Sequence, residues 1–194
     1  MTSERERMLR GEFYDPRDPE LLALAHRARR ILARYNASDS SDGEARRALL
    51  EELFGGVGSG VWIEPPFFCD YGANVVIGPE TFLNVNCVIL DSAAISIGAR
   101  VLVGPGVQIL TATHPVRSTD RIPMRLPGEV TAPYRTRAAP IRIGDRVWLG
   151  AGAIVLPGVT IGDDTTIGAG SLVTGDIPPG VLAFGQPCRV QREL

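Results

Sequence analysis

Two hydrophobic periods divide the chain. Over residues 18–36 apolar side chains recur at helical spacing, with Leu21, Leu24, Ala25, Ala28, Ile31 and Leu32 forming one stripe and arginines on the other side. Asp18-Pro19-Glu20 reads as the helix start: a capping carboxylate, proline at the first helical position, and an acid near the positive end. Asn36 and Ser38 to Ser41 break the stripe. A second helix is predicted from about Asp42 to Phe54, with Ala45, Ala48, Leu49 and Leu53 inward and Gly55-Gly56 ending it. Two such helices bury too little surface to fold alone, so they must pack on something larger.

From about Ile63 the period becomes six. Ile143, Leu149, Val155, Ile161, Ile167 and Val173 are aliphatic at every sixth position, and glycine follows four of them. At the frequency of Ile, Leu and Val in this chain, six such hits in a fixed frame arise by chance roughly twice in ten thousand trials. An earlier array runs Ile77, Leu83, Ile89, slips by two residues, and resumes at Ile97, Val103, Ile109. Ile63, Cys69 and Val75 are the first, less regular hexads. A period of six fits neither a helix nor a hairpin meander. It fits a solenoid of short parallel strands in which three hexads close one coil, the aliphatic residue points inward and a small residue fills each corner. Such a stack needs end caps. The expected organisation is mainly β: a helical cap over 1–56, a parallel β-helix over 57–187, and a C-terminal tail over 188–194.

The repeat is interrupted once. Residues 115–140 hold five prolines, five arginines and no period. A stretch of that length is either an exposed excursion or the lid or wall of a site, and it begins directly after a histidine. There are only two histidines: His26, mid-helix among arginines and expected at the surface, and His114, where a hexad gives way to the loop. An imidazole is the side chain most readily used as a base near neutral pH.

Composition sharpens this picture. Gly (22) and Pro (15) exceed their usual shares while aromatics are 6%, as a narrow aliphatic prism with many turns requires. The net charge of −2 gives no basic field for nucleic acid. All 20 cationic residues are arginine, which removes lysine chemistry. Three cysteines at unrelated spacings (Cys69, Cys87, Cys188) fit a reducing compartment, no secretory signal opens the chain, and no apolar run spans a membrane. A cytoplasmic protein is expected.

Further motifs resemble one family. They are Gly11 to Pro16, Arg34-Tyr35-Asn36, Val61 to Pro66, Asp70-Tyr71-Gly72, Asn84-Val85-Asn86, Ile89-Leu90-Asp91, Thr111 to Pro115, Val147 to Gly150, Ile154 to Gly162, Ile167 to Ser171 and Pro187 to Val190. Together they are similar to the maltose O-acetyltransferases and the related galactoside and nodulation acetyltransferases, over nearly the whole chain. The resemblance implies a left-handed β-helix, a homotrimer, and clefts between neighbouring prisms that hold acetyl-CoA and a sugar acceptor. It implies that His114 is the general base and Asn84 the amide that stabilises the oxyanion. It implies that Asp15, Asp70 and Asp91 bind acceptor hydroxyls, that Ala151, Ala169 and Thr174 line the pantetheine groove, and that Trp148 walls it. Arg189 and Arg192 match the basic residues near the CoA phosphates. No metal is expected. A zinc enzyme on this solenoid would need three histidine ligands, which one coil histidine per chain does not supply. Another hydroxyl acceptor (a galactoside, an oligosaccharide or a xenobiotic) and a non-catalytic scaffold remain as alternatives.

Overall fold

The computed structural model describes residues 2–124 and 131–194. Residues 125–130 of the long loop lie outside them. The described residues form four helices: α1 Glu4–Leu9, α2 Pro19–Asn36, α3 Gly43–Leu53 and α4 Ser118–Arg121. The start of α2 is the expected one, with Asp18 accepting the Glu20 N–H at 2.9 Å. Asp42 caps α3 by accepting the Ala45 N–H at 3.0 Å. Helix α1 was not anticipated, although its signal is in the sequence: Ser3 and Glu6 form a capping box, each side chain accepting the other's backbone N–H.

The inward face of α3 differs from the expected one. Ala45 and Ala48 are exposed, and Arg46, Leu49, Leu50 and Leu53 are buried. The helix is rotated so that its larger side chains reach the first coil, where they remove more apolar surface from water than alanine can. The Arg46 guanidinium comes with them. It donates to the Ile63 carbonyl at 2.7 Å and lies 4.8 Å from the Trp62 ring centroid. Tyr35 and Asn36 at the end of α2 complete the docking, through Tyr35 Oη to the Ile63 carbonyl (2.6 Å) and a two-way Asn36–Phe67 amide pair.

Each coil contributes one strand to each of three sheets. The first face stacks Gly56–Val57, Val75–Ile77, Ile95–Ile97, Ile141–Ile143 and Thr160–Ile161. The second stacks Trp62–Ile63, Phe82–Leu83, Leu102–Val103, Trp148–Leu149, Thr166–Ile167 and Val181–Gly185. The third stacks Phe68–Cys69, Val88–Leu90, Gln108–Leu110, Ile154–Val155 and Leu172–Val173. All these pairings are parallel and bring hexad residues into register, as in Ile63–Leu83–Val103–Leu149–Ile167, each at most 1% exposed. The small fifth-position residues Val147, Ala153, Val159, Thr165 and Ser171 are buried at the corners, as the pattern predicts. Thr165 and Ser171 satisfy their hydroxyls on backbone carbonyls. Cys188–Glu193, in the segment read as a tail, pairs antiparallel with Val181–Gly185.

The two-residue slip has a structural meaning. Val57, Ile77 and Ile97 stack at intervals of 20 residues, whereas Ile143 and Ile161 stack at 18. The extra pair falls at the corner between the third face and the first, and that corner is therefore wider in the early coils. The long loop leaves from the same corner. Its base is an antiparallel ladder of Ala112–Thr113 with Arg137–Ala138.

Candidate active site

Asp70, Asp91 and Thr111 follow strands of the third face in three successive coils, at the widened corner. Asp91 and Thr111 are level with each other and with Tyr71, whereas Asp70 stands one position earlier, level with Leu90 and Leu110. Asp91, in the middle coil, is fully buried. Its Oδ1 accepts the N–H groups of Asp70 (3.1 Å) and Tyr71 (2.9 Å), and its Oδ2 that of Asn74 (3.4 Å). Burial pushes its pKa up while those three donors pull it down. The expectation that Asp91 holds an acceptor hydroxyl meets a carboxylate already engaged by the backbone and closed to solvent. It sits beneath the site as a staple of the corner.

Asp70 faces outward from that staple, into a cavity of about 360 Å³ that His114 also lines. The other walls include Tyr14, Arg29 of α2, Tyr71, Ser92 and Tyr134. Burial, and then the neighbouring Asp91 charge, push the Asp70 carboxyl up to about 6, with Arg29 opposing. Burial also raises the Tyr14 hydroxyl. Asp15 is placed elsewhere. It lines an adjoining cavity of about 180 Å³ and accepts the Ala132 N–H at 3.0 Å, fastening the returning loop to the N-terminal segment.

His114 is exposed at the mouth of the cavity, and its orientation is set by the loop. Its Nδ1 lies 2.8 Å from the carbonyl oxygen of Arg135. A carbonyl only accepts, so Nδ1 carries the hydrogen and the neutral ring keeps its lone pair on Nε2. This is the tautomer that a base acting through Nε2 needs, oriented by a third group.

The remaining expected residues lie on other parts of the prism. Asn84, Ala151 and Ala169 share the corner between the second and third faces. There Gly106 N–H donates to the Val85 carbonyl, Gly152 N–H to that of Pro105 and Gly170 N–H to that of Ala151, at 2.8–2.9 Å. The corner is packed backbone to backbone: a Cβ on Gly150 would stand 2.5 Å from the Ala169 nitrogen. The result is a side-chain-poor strip along the outside, beside the 54%-exposed Trp148. Thr174 sits on the same edge of the prism, in the narrower coils two turns beyond the loop, and Arg189 and Arg192 lie on the last strand, exposed. A single chain therefore unites His114 with Asp70 and keeps both apart from Asn84, Ala151 and Ala169. Sequence reasoning missed Tyr14, Arg29 and Tyr134, because a cavity between a cap helix and a loop leaves no period in the sequence.

Cysteine contributes no nucleophile here. All three thiols are buried; desolvation holds Cys69 far above its usual range and pushes Cys87 up to about 11.

Known proteins share this arrangement from end to end. The family model described as the maltose acetyltransferase hexapeptide capping motif matches residues 7–58, and the bacterial transferase hexapeptide model matches residues 140–175. Nodulation protein L of Rhizobium meliloti (strain 1021) is 47% identical over 189 residues, which span 97% of this chain and 98% of that protein. The chain belongs to the maltose and galactoside O-acetyltransferase family of hexapeptide-repeat proteins. Within that family, the maltose O-acetyltransferase from Clostridium difficile 630 superposes with a TM-score of 0.91 at 38% identity, covering 99% of this chain and 97% of that one. A hexapeptide-repeat acetyltransferase from Vibrio cholerae O1 biovar eltor, solved in complex with acetyl coenzyme A, superposes at 0.87 and 39%, covering 99% and 98%. The family's capping motif corresponds here to α2, α3 and the first strand. Its hexapeptide signature falls on the two most regular coils. Among the described residues no cluster of three or more His, Cys, Asp or Glu could hold a metal, and no helix is long and apolar enough to cross a membrane.

Proposed function

We propose that the protein transfers the acetyl group of acetyl-CoA directly to a hydroxyl of a maltose- or glucose-like sugar. The observation that carries this reading is the His114–Arg135 hydrogen bond, which leaves Nε2 free at a cavity sized for a small polar acceptor. Nε2 takes the proton of the acceptor hydroxyl as its oxygen attacks the thioester carbonyl. The C–S bond then breaks, and the proton passes from the imidazolium to the CoA thiolate. Asp70 accepts hydrogen bonds from the acceptor's hydroxyls, and Tyr14 and Tyr71 offer ring surface to its apolar face. The raised thiol pKa values suit direct transfer with no acyl-cysteine.

The remaining roles are proposed for a homotrimer. The widened corner and the Asn84 corner flank the third face, whose outward residues include Phe68, Val88, Ile154 and Leu172. Turning that face toward a threefold axis sets the Asn84 corner of one protomer against the His114 corner of the next. Asn84 then stabilises the oxyanion, while Ala151 and Ala169 from one chain and Thr174 from its neighbour line the pantetheine. Trp148 flanks the groove, and Arg189 and Arg192 meet the CoA phosphates. Three free buried thiols suit a reducing, cytoplasmic setting.

The test is a panel of glucose, maltose, galactosides, oligosaccharides and small hydroxylated xenobiotics with acetyl-CoA, reading free thiol. Thiol release that depends on glucose or maltose is expected. No acceptor-dependent release across the panel overturns the proposal.

A further inference from the structure

The cavity has one aromatic side chain that comes from the loop itself. Tyr134 is followed by Arg135, whose carbonyl fixes the His114 tautomer, so one dipeptide supplies both contacts to the imidazole. The Tyr134 ring stands 5.3 Å from the His114 ring, centroid to centroid, at an interplanar angle of 89°. That is an edge-to-face aromatic contact, which favours one relative orientation of the two rings. Tyr134 also walls both the His114–Asp70 cavity and the adjoining Asp15 cavity.

The segment is anchored on every side. Ala132 N–H donates to Asp15 Oδ1 at 3.0 Å, Arg135 N–H to the Arg121 carbonyl at 2.8 Å, and Tyr14 N–H to the Thr136 carbonyl at 3.3 Å. Thr136 Oγ1 in turn donates to the Thr113 carbonyl at 3.3 Å, next to the histidine. These anchors fix the Arg135 carbonyl. They do not by themselves fix an exposed imidazole, which is free to rotate about its two side-chain torsions unless something fills the space beside it.

We infer that Tyr134 is a positioning residue for His114, its ring holding the imidazole in the rotamer that keeps Nδ1–H on the Arg135 carbonyl and leaves Nε2 as the base. This rests on His114 acting as the base, as proposed above. The ring is required and the hydroxyl is not, so Tyr134→Phe preserves the function and Tyr134→Ala loses it.

Two readings on the full-length protein decide the matter. With only two histidines in the chain, and His26 exposed on α2, the ring nitrogens of His114 can be assigned by ¹⁵N NMR at a pH where imidazole is neutral. The wild type and Tyr134→Phe are expected to show the Nδ1–H form. Tyr134→Ala is expected to drift toward the Nε2–H form that free imidazole side chains prefer. In kinetics, Tyr134→Ala should lower kcat about 3–10-fold, the scale of one lost aromatic contact, with KM for acetyl-CoA unchanged and Tyr134→Phe near wild type. If Tyr134→Ala keeps the Nδ1–H form, or changes only KM for the acceptor, Tyr134 is a pocket wall and the inference fails. Failure of the base assignment itself shows separately, as full turnover by His114→Ala. Tyr134 is 40% exposed on a surface loop, so unchanged melting of the variants is expected and checks the fold.

Discussion

The Asp91 carboxylate accepts the backbone N–H of Tyr71 at 2.9 Å, joining two successive coils at the corner where the site is built. The same carboxylate holds the N–H groups of Asp70 and Asn74, and the Asn74 amide donates back to the Asp91 carbonyl at 2.7 Å. Removing it leaves the buried Tyr71 N–H and the half-buried Asn74 N–H without that acceptor, while the Asp70 N–H keeps the Ile89 carbonyl at 3.3 Å. Asp91→Ala should therefore lower stability by about 2–4 kcal/mol, read as a fall in denaturation midpoint. A variant that melts like wild type while its acceptor KM rises would return Asp91 to the acceptor.

Asp70 gives a pH-dependent prediction. Its folded pKa is raised to about 6, above the ordinary carboxylate value near 4 that it has when unfolded. The native state thus holds a proton that the unfolded chain has released. Its contribution to stability is complete below about pH 4 and is lost as pH rises through about 6. Asp70→Asn carries no charge at either end. After allowance for partial exposure it should be about 1 kcal/mol more stable than wild type at pH 7.5 and no more stable at pH 4. Melting curves at both values check this, and an equal shift at both would refute it. The same variant should bind the acceptor more weakly, trading function for stability.

His114→Ala should lose about 10²-fold or more in turnover, as removal of a general base does. Acetyl-CoA affinity, measured by calorimetry, should not change. Near-normal turnover would take His114 out of the mechanism.

Arg46 is buried at 3% exposure, with Nε and Nη1 lacking a partner among the described residues. The Ile63 carbonyl it reaches is also bonded by Tyr35 Oη at 2.6 Å. Arg46→Met would keep much of the packed stem, leave that carbonyl satisfied and remove a desolvated charge. Its stability should lie within about 1 kcal/mol of wild type, on either side, because a buried charge often returns less than its desolvation costs. A loss of several kcal/mol on denaturant titration would show that the stacking on Tyr35 and Trp62 outweighs desolvation.

Local patterns carried most of the architecture. The hexads named the inward residues of the coils, and Asp18-Pro19 placed the start of α2. The face of α3 is not legible in this way, because its stripe points alanines inward where Arg46 and Leu50 go instead. The outcome there depends on which side chains can reach a coil distant in sequence. Helix α1 was legible through Ser3 and Glu6 but too short to show a stripe.

What the sequence determined by itself is the prism and its interruption. A six-residue period specifies short strands and inward positions without reference to any partner, and the two-residue slip marks the corner that departs from it. The tertiary structure decided which of the marked residues meet. Asp70 and Asp91 both follow a strand of the third face, yet one opens to a cavity and the other is closed by backbone donors. The difference arises because Asp91 stands one position further along its corner, level with the buried Tyr71, while Asp70 stands level with the half-buried Leu90 and faces α2 and the loop. His114 obtains its tautomer from the carbonyl of a residue 21 positions away. Such contacts depend on how a cap, a loop and a prism pack against one another, and no local period encodes that packing.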